Sequence, residues 1–333
     1  AGSDPGCRAT GPDTTSWSRI RSVRRERPTR LAELYRRSLK PRPAPELLNA
    51  AVFRPLGFLV ARSLAETRIR PIHLVCLHTL LGAVAAVAIA RRRDRLAALL
   101  LQVVTVLDNA DGQLARLRRE ETELGRYADT ELDALKNAGL FGALAWRTKR
   151  WGEALVGFIV LTLLLSWDFN VEYLYRSVRN ERFRPDVRDP EGRWVAIARA
   201  VYRYLFLPQD RVIRWIERRL FCLLARGSED ERAAAQRWWN RGVVFLGANL
   251  GLTTQYVWLG LALLAARPDR YLRCVLTQGA VPVASVLWRW FMWSRWKRFP
   301  IRLLRSRMMR VRNALRRDSG GMIASEGTRE SAE

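Results

Sequence analysis

Four aspartates near the middle of the chain are the side chains best suited to chemistry. Asp108 and Asp111 are three residues apart, and Asp129 and Asp133 are four residues apart. Both pairs lie in or beside apolar runs, where an ionised carboxylate is costly unless it is paired, metal-bound or in contact with water. Helical spacing places each pair on one face of its helix, and a tight turn between residues 118 and 122 would set the helices antiparallel. We therefore expect the four carboxylates to surround one cavity.

Carboxylate oxygens are ligands for hard cations, and no cluster of His or Cys accompanies these aspartates. Mg²⁺ or Mn²⁺ is the expected cofactor, and zinc is disfavoured. Four acids can hold two divalent ions, and such a pair stabilises the attacking and leaving oxygens during in-line displacement at phosphorus. The pattern thus predicts phosphoryl chemistry.

Small residues accompany the acids on the same helix faces. Gly112, Ala115 and Gly125 leave room for a flat group or a phosphate, and Arg116 offers a planar donor fork that suits a diphosphate oxygen. A helix cap or an ion pair is the commoner role for any single acid. Four acids at this spacing instead favour one shared site.

The complete pattern is Asp108-x2-Asp111-Gly112-x2-Ala115-Arg116-x8-Gly125-x3-Asp129-x3-Asp133. At all eight fixed positions it resembles the signature of the CDP-alcohol phosphotransferase (CDP-alcohol phosphatidyltransferase) family, over roughly residues 53–146. The resemblance implies transfer of a substituted phosphoryl group from a CDP-linked donor to the hydroxyl of an acceptor alcohol, with release of CMP. It also implies a six-helix membrane bundle, usually homodimeric, with a cavity that faces the cytoplasm.

The resemblance further implies a role for each motif residue. Two divalent ions would be held by the four acids, Asp108, Asp111, Asp129 and Asp133, and Asp133 would also be the general base that takes the acceptor's proton. The cytidine pocket would be shaped by Gly112, Ala115 and Gly125, with Arg116 near the nucleotide phosphates. The two histidines at the start of the first apolar run, His73 and His78, are more typical of buried, hydrogen-bonded side chains than of catalytic ones.

The chain departs from the family pattern on the acceptor side. Members that use a phosphorylated acceptor often carry a basic residue directly after the last motif aspartate, where this chain has Ala134, with Lys136 two positions further on. We expect CDP-diacylglycerol as donor and a polar alcohol as acceptor, in phospholipid biosynthesis. A non-lipid CDP-alcohol donor is an open alternative, as is a non-catalytic or transport protein that uses the acids as a cation site.

The charge pattern bears on the surroundings of this site. The 333 residues include 58 Lys and Arg against 32 Asp and Glu, a formal net charge of +26. Such an excess is typical of proteins that bind nucleic acid or anionic lipid, and long uncharged runs favour lipid, without nucleic acid. Six runs could cross a membrane as helices: Pro71 to Ala90, Leu96 to Leu114, Leu124 to Trp146, Ala154 to Trp167 (extended at both ends), Val243 to Ala266 and Leu272 to Trp293.

The predicted fold class is therefore all-α: a polytopic membrane protein with six transmembrane helices and amphipathic juxtamembrane helices. Most basic residues lie outside the loops that would be translocated, which predicts cytoplasmic termini and a cytoplasmic active site. The predicted parts are a basic tail (1–50), the six-helix domain (51–296) with a cytoplasmic insertion (168–241), and a basic, partly disordered tail (297–333). Within the insertion, Arg193 to Leu207 and Asp210 to Leu224 either lie flat among lipid headgroups or form a soluble hairpin on the bundle.

Four scattered cysteines, with no CxxC pair, exclude a disulfide framework and a zinc ribbon.

Overall fold

The computed structural model describes residues 30–183, 187, 189, 192–225 and 230–295. The predicted C-terminal tail and almost all of the first 30 residues lie outside this part of the chain. The described residues form helices joined by short loops and contain no strand, which confirms the all-α prediction. The first six helices are α1 (residues 30–38), α2 (Arg54–Leu64, after a π-helical turn at Asn49–Phe53), α3 (Pro71–Ala90), α4 (Asp94–Arg118), α5 (Glu123–Thr148) and α6 (Trp151–Ser177).

The remaining helices are shorter, and several of them cover the predicted insertion. They are α7 (Arg193–Val201), α8 (Leu207–Leu224, after a π-helical turn at Tyr202–Phe206), α9 (Glu231–Trp238), α10 (Arg241–Ala248), α11 (Leu252–Leu264), α12 (Pro268–Gln278) and α13 (residues 281–295).

The main hydrophobic core lies between α3, α4, α5, α6, α11 and α12. One side chain from each of α3, α4, α5, α6 and α11 is fully buried in it, namely Ile89, Leu101, Leu144, Leu161 and Leu263. Burial of a side chain of this size stabilises the fold by roughly 1.5–3 kcal/mol. A separate aromatic-rich cluster joins α6 to α8, α9, α10 and α13, and a third joins α2 to α3 and α4.

Among the residues that the structure describes, two helices, α3 and α6, are long and apolar enough to cross a membrane. The first predicted span coincides with α3, and α6 extends beyond the fourth predicted span at both ends, as expected from its short apolar run. The second and third predicted spans lie inside α4 and α5, whose acids lower their mean hydropathy. The six-span topology stays a prediction.

The fifth and sixth runs were predicted as single helices, and the structure divides both. The fifth is interrupted between α10 and α11, where the side chain of Asn249 bonds the backbone of a distant segment, donating to Pro45 O (3.1 Å) and accepting from Leu47 N (2.9 Å). The sixth is interrupted after Gln278 at Gly279, and Pro282, which has no amide hydrogen to donate, lies at the start of α13.

Two close contacts position the helices that carry the motif. A Cβ on Gly57 of α2 would lie only 2.9 Å from Cβ of Asn109, so α2 approaches α4 closely because residue 57 is glycine. At the end of α4, Arg118 donates to Ala65 O (2.9 Å) and Ile69 O (2.7 Å), which fixes the α2–α3 loop beside the site. These contacts hold the second half of α4 against α2 and α3.

Candidate metal and nucleotide site

The motif residues lie where α4 ends and α5 begins. The predicted tight turn is confirmed: α4 ends at Arg118, Arg119 has a left-handed backbone (φ 58°), and Thr122 caps α5 by accepting a hydrogen bond from Gly125 N at 3.0 Å. A Cβ on Gly125 would lie 2.8 Å from Oγ1 of Thr122, so this glycine is also required by the cap itself. The turn reverses the chain, so α4 and α5 run antiparallel, and both pack against α3.

Three of the four aspartates come together with a histidine. Ligand atoms of His78, Asp108, Asp129 and Asp133 all lie within 4.8 Å of one another. Two ligands on opposite sides of a magnesium ion, each at about 2.1 Å, are about 4.2 Å apart. The three carboxylates therefore fit a divalent cation with only small adjustments.

Asp111 joins this group through His78. The ring Nε2 of His78 lies 3.1 Å from Oδ2 of Asp111, and the ring Nδ1 lies 3.2 Å from Nζ of Lys136. Because the ammonium can only donate, Nδ1 accepts and Nε2 donates. Both nitrogens of His78 therefore have hydrogen-bond partners. The imidazole links Asp111 to Lys136 and has no free lone pair to offer to an ion.

Lys136 completes the buried network. Its ammonium donates to Oδ1 of Asp133 at 2.6 Å, and its side chain is fully buried. A Cβ on Gly82 of α3 would lie 2.5 Å from Cγ and Cδ of Lys136, so the lysine occupies space that this glycine leaves open. The contact of Lys136 with Asp133 was not predicted from the sequence, although the i, i+3 spacing of the two residues allows it.

His78 is buried and hydrogen-bonded as expected, but its place against the acids was not predicted. Among the described residues the acids are met by a single histidine and not by a cluster of His or Cys: α3 brings His78 to them from 30 residues earlier in the chain. The only signal in the sequence was a polar residue in an otherwise apolar helix. His73, which was also expected to be buried, is instead exposed, and it caps α3 by accepting from Arg70 N at 3.1 Å.

A cavity of about 850 Å³ lies next to the acids. Motif residues from both helices line it: Asp111, Gly112, Ala115, Arg116, Gly125 and Asp129. Further basic side chains line the same cavity, namely Lys40, Arg70, Arg126, Arg176 and Arg182. A cavity that joins a carboxylate cluster to several guanidinium groups is suited to a phosphorylated ligand bound together with a cation.

The segment that precedes α2 closes one side of this cavity. Arg116 folds over Gly112 and donates from Nε to the carbonyl of Ser38, while Arg176 of α6 donates from Nη2 to the carbonyl of Pro41 at 2.6 Å. Arg42 lies 3.3 Å from Asp168 and 3.7 Å from Glu172. Residues 38–46, here called the N-terminal strap, are thereby tied to α6 beside the cavity.

The two polar side chains between the motif residues, Asn109 and Gln113, do not line the cavity. Gln113 is buried and donates from Nε2 to the carbonyl of Arg54 at 3.0 Å, and Asn109 donates to Thr105 O within its own helix at 2.9 Å. Both side chains take part in helix packing.

Fold and site together define a helical protein with a carboxylate cluster that fits a divalent cation, beside a cavity lined by several basic side chains. The model of the CDP-alcohol phosphatidyltransferase family matches residues 68–221, a range that contains every fixed position of the motif and confirms the resemblance seen in the sequence. No curated protein matches the chain at a significant level. The family match supports transfer of a phosphate-linked group from a CDP-alcohol, with use of a divalent metal.

Proposed function

We propose that this protein is a membrane enzyme that transfers a phosphatidyl group from CDP-diacylglycerol to the hydroxyl of a polar alcohol and releases CMP. The observation that supports the proposal most strongly is the position of the carboxylate cluster beside a cavity lined by Gly112, Ala115 and Gly125. A cation site alone would not require small residues and a guanidinium group on the adjoining faces. This combination argues against a transport or purely structural role for the acids.

Each motif residue has a separate task in this proposal. The four aspartates, Asp108, Asp111, Asp129 and Asp133, would hold Mg²⁺ or Mn²⁺, which when bound neutralises charge on the diphosphate. Gly112, Ala115 and Gly125 would leave space for the cytidine, and Arg116 would bind a phosphate oxygen of the nucleotide. His78 and Lys136 would orient the carboxylates of Asp111 and Asp133 through the contacts described above.

The reaction is an in-line displacement at the β-phosphorus of the donor. The acceptor oxygen forms the new bond to phosphorus while the bond from that phosphorus to the CMP oxygen breaks, and CMP departs with the bonding electrons. Asp133 would take the acceptor's proton.

The test is release of CMP from CDP-diacylglycerol by detergent-purified protein, with a panel of polar alcohols as acceptors. We expect release only with Mg²⁺ or Mn²⁺, and loss after chelation that the metal restores. Asp133→Asn should reduce the rate by at least about 10²–10⁴-fold, because the base and one ligand are lost together. The surface variant Asp269→Asn, a matched change on α12, should retain it.

Retained activity in Asp133→Asn would reject Asp133 as the base. Release of CMP from a non-lipid CDP-alcohol, with none from CDP-diacylglycerol, would replace the lipid donor but keep the chemistry. Absence of release with every donor, combined with metal binding to the purified protein, would favour the cation-site alternative.

A further inference from the structure

The outer face of α8 carries a basic groove with no part in the site described above. The groove has a volume of about 400 Å³ and is lined by Arg211, Arg214, Trp215, Arg218, Arg219 and Cys222. We call these six residues the α8 groove. Most of this face is not used for packing, because α8 is attached to the bundle by its opposite side, although Arg214 at the edge of the groove also reaches the Tyr173 ring of α6 (5.1 Å to its centre).

That opposite side is firmly bound. Asp210 accepts hydrogen bonds from Ser166 Oγ and from Asn170 Nδ2 (2.8 Å), and Glu217 forms a buried pair with Arg289 at 2.8 Å. Phe221 packs in the aromatic cluster between α6 and α9. The orientation of α8 is therefore fixed, and the groove faces outward.

All the charge on the outer face of α8 is positive. The helix contains two acids, Asp210 and Glu217, and both point into the protein, where they are paired. Arg211, Arg218 and Arg219 are exposed, and the guanidinium of Arg219 lies 5.6 Å from the centre of the Trp215 ring. Guanidinium groups of this kind bind phosphate oxygens through paired hydrogen bonds.

An apolar stripe runs beside the groove along the same helix. Val212, Ile216 and Leu223 are 55%, 43% and 74% exposed. At 100° per residue these side chains lie next to the arginines on the helix surface, not opposite them. A helix with adjacent basic and apolar stripes is suited to the boundary between headgroups and acyl chains.

The contacts between α8 and α6 show where α8 would lie relative to the boundary between headgroups and acyl chains. Gln209 donates to Thr162 O at 3.0 Å, and Trp167 donates to Glu217 at 3.0 Å. The apolar run of α6, a helix able to span a membrane, ends at Trp167, so α8 crosses α6 where that run becomes polar. If α6 spans the bilayer, α8 lies at the level of the headgroups.

We propose that the α8 groove binds the phosphate of an anionic phospholipid of the membrane in which the protein resides. The arginines would hold the headgroup phosphate, Trp215 would lie at the interface, and the apolar stripe would contact the acyl chains. A soluble anion would leave the apolar stripe without a function, which is why a lipid is the better match. The inference does not depend on the proposed reaction.

Cys222 offers a local reporter because it lies in the groove and is exposed. In the full chain with Cys7, Cys76 and Cys274 replaced by serine, the rate of modification by a neutral maleimide is measured in nanodiscs. The discs contain phosphatidylcholine alone or mixed with phosphatidylglycerol. We expect phosphatidylglycerol to slow the modification of Cys222 by about tenfold, given the number of basic groups. The combined variant R211Q/R218Q/R219Q should lose this slowing.

Two controls separate local binding from surface charge. R91Q/R92Q/R95Q removes the same charge from exposed positions on the α3–α4 loop and the start of α4, and it should leave the slowing intact. A cysteine introduced by Glu231→Cys at the exposed start of α9, in a chain whose own four cysteines are replaced, should react at nearly equal rates in both lipid mixtures.

Equal rates at Cys222 in the two mixtures would overturn the proposal. So would equal protection by inorganic phosphate or by a short oligonucleotide in phosphatidylcholine discs, since the groove would then be a site for a soluble anion or nucleic acid. The groove variant should keep its thermal stability and its CMP release in detergent. Failure of CMP release in the parent chain would count against the proposed reaction, not against the groove.

Discussion

Lys136 places a positive charge beside the motif acids although it is not part of the motif. Its ammonium bonds both Asp133 and His78, and its stem lies against the open space at Gly82. An ammonium this close to a divalent ion repels it, so the lysine is not there to strengthen ion binding. Its contacts instead hold Asp133 in one orientation, which is the requirement for a general base.

Lys136→Met tests this role at the residue scale. Methionine fills a similar volume but cannot donate to Asp133 or His78, so we expect kcat for CMP release to fall by roughly 10–100-fold, the usual cost of losing a supporting contact. The Mn²⁺ concentration that gives half-maximal activity should not rise, because a repulsive charge has been removed. Lys149→Met, at the exposed end of α5, should change neither quantity. Unaltered kcat in Lys136→Met would contradict the positioning role.

At the scale of elements, the N-terminal strap is the part of the site contributed from outside the segment that matches the family model. Lys40 and Pro41 line the cavity, and Arg42 faces Glu46, Asp168 and Glu172. These acids keep the Arg42 guanidinium charged: although burial alone lowers its pKa, the three carboxylates raise that pKa above its ordinary value. The strap is therefore held against α6 by charge.

Arg42→Met should loosen the strap and leave three acids without their cation. We expect KM for the CDP-linked donor to rise roughly tenfold, equivalent to about 1.4 kcal/mol of lost binding, with a smaller effect on kcat because the carboxylate cluster is not touched. Steady-state kinetics of CMP release would measure both constants. Arg37→Met removes an exposed arginine paired with Glu33 on α1 and serves as the control. A fall in kcat with unchanged KM would exclude a role for the strap in donor binding.

The second element-scale prediction concerns the attachment of α8. Burial raises the pKa of Glu217, but hydrogen bonds from Arg289, Trp167 and Trp239 outweigh it and hold this pKa below the ordinary value of 4.5. A lowered folded-state pKa means that the ionised side chain contributes its stability above about pH 4.5 and loses it as the pH falls below that value.

Thermal unfolding in detergent would show this effect. Glu217→Gln leaves Arg289 buried without its counter-charge, and we expect a loss of roughly 3–5 kcal/mol at neutral pH. The difference in Tm between the parent and the variant should shrink as the pH is lowered below about 4.5. Glu231→Gln on exposed α9 should behave like the parent chain. A constant difference between parent and variant across this range would refute the pH assignment.

At the scale of the whole molecule, the cavity lies at one end of the helix bundle. The α4–α5 turn and the start of α3 line it, whereas Arg147 at the end of α5 pairs with Asp94 at the start of α4 at the other end. The loops at that other end, residues 91–93, 149–150 and 265–267, carry the basic residues that the predicted topology exposes outside the cell. Cytoplasmic placement of the cavity therefore requires these loops to be external.

Single cysteines in a chain that lacks its own cysteines would test this arrangement. With an impermeant thiol reagent, we expect Arg92→Cys and Arg267→Cys to be labelled in intact cells. Glu120→Cys and Asn180→Cys should be labelled only after the membrane is opened. Labelling of all four positions in intact cells, or the reverse pattern, would reject the predicted six-span topology and its orientation.

Local spacing was sufficient to predict much of the site. The i, i+3 and i, i+4 spacing of the aspartates depends only on helical periodicity, and the turn at residues 119–122 depends on neighbouring residues, so both could be deduced from the sequence. The apolar run of α3 was equally clear, because its ends coincide with Pro71 and with the arginines after Ala90.

The sequence by itself thus determined the acid pattern, the small residues beside it and the helical class of the protein. Only the tertiary structure decided which distant groups contact the motif residues. His78 from α3 contacts Asp111, and the carbonyl of Ser38 in the strap accepts from Arg116; both partners lie 30 or more positions away in the chain. It also decided where the last two apolar runs are broken, and at the break of the fifth run Asn249 bonds a segment some 200 residues earlier. The physical reason is the same in each case: periodicity records the face that a residue occupies on its own helix, whereas contacts between distant helices depend on how those faces pack.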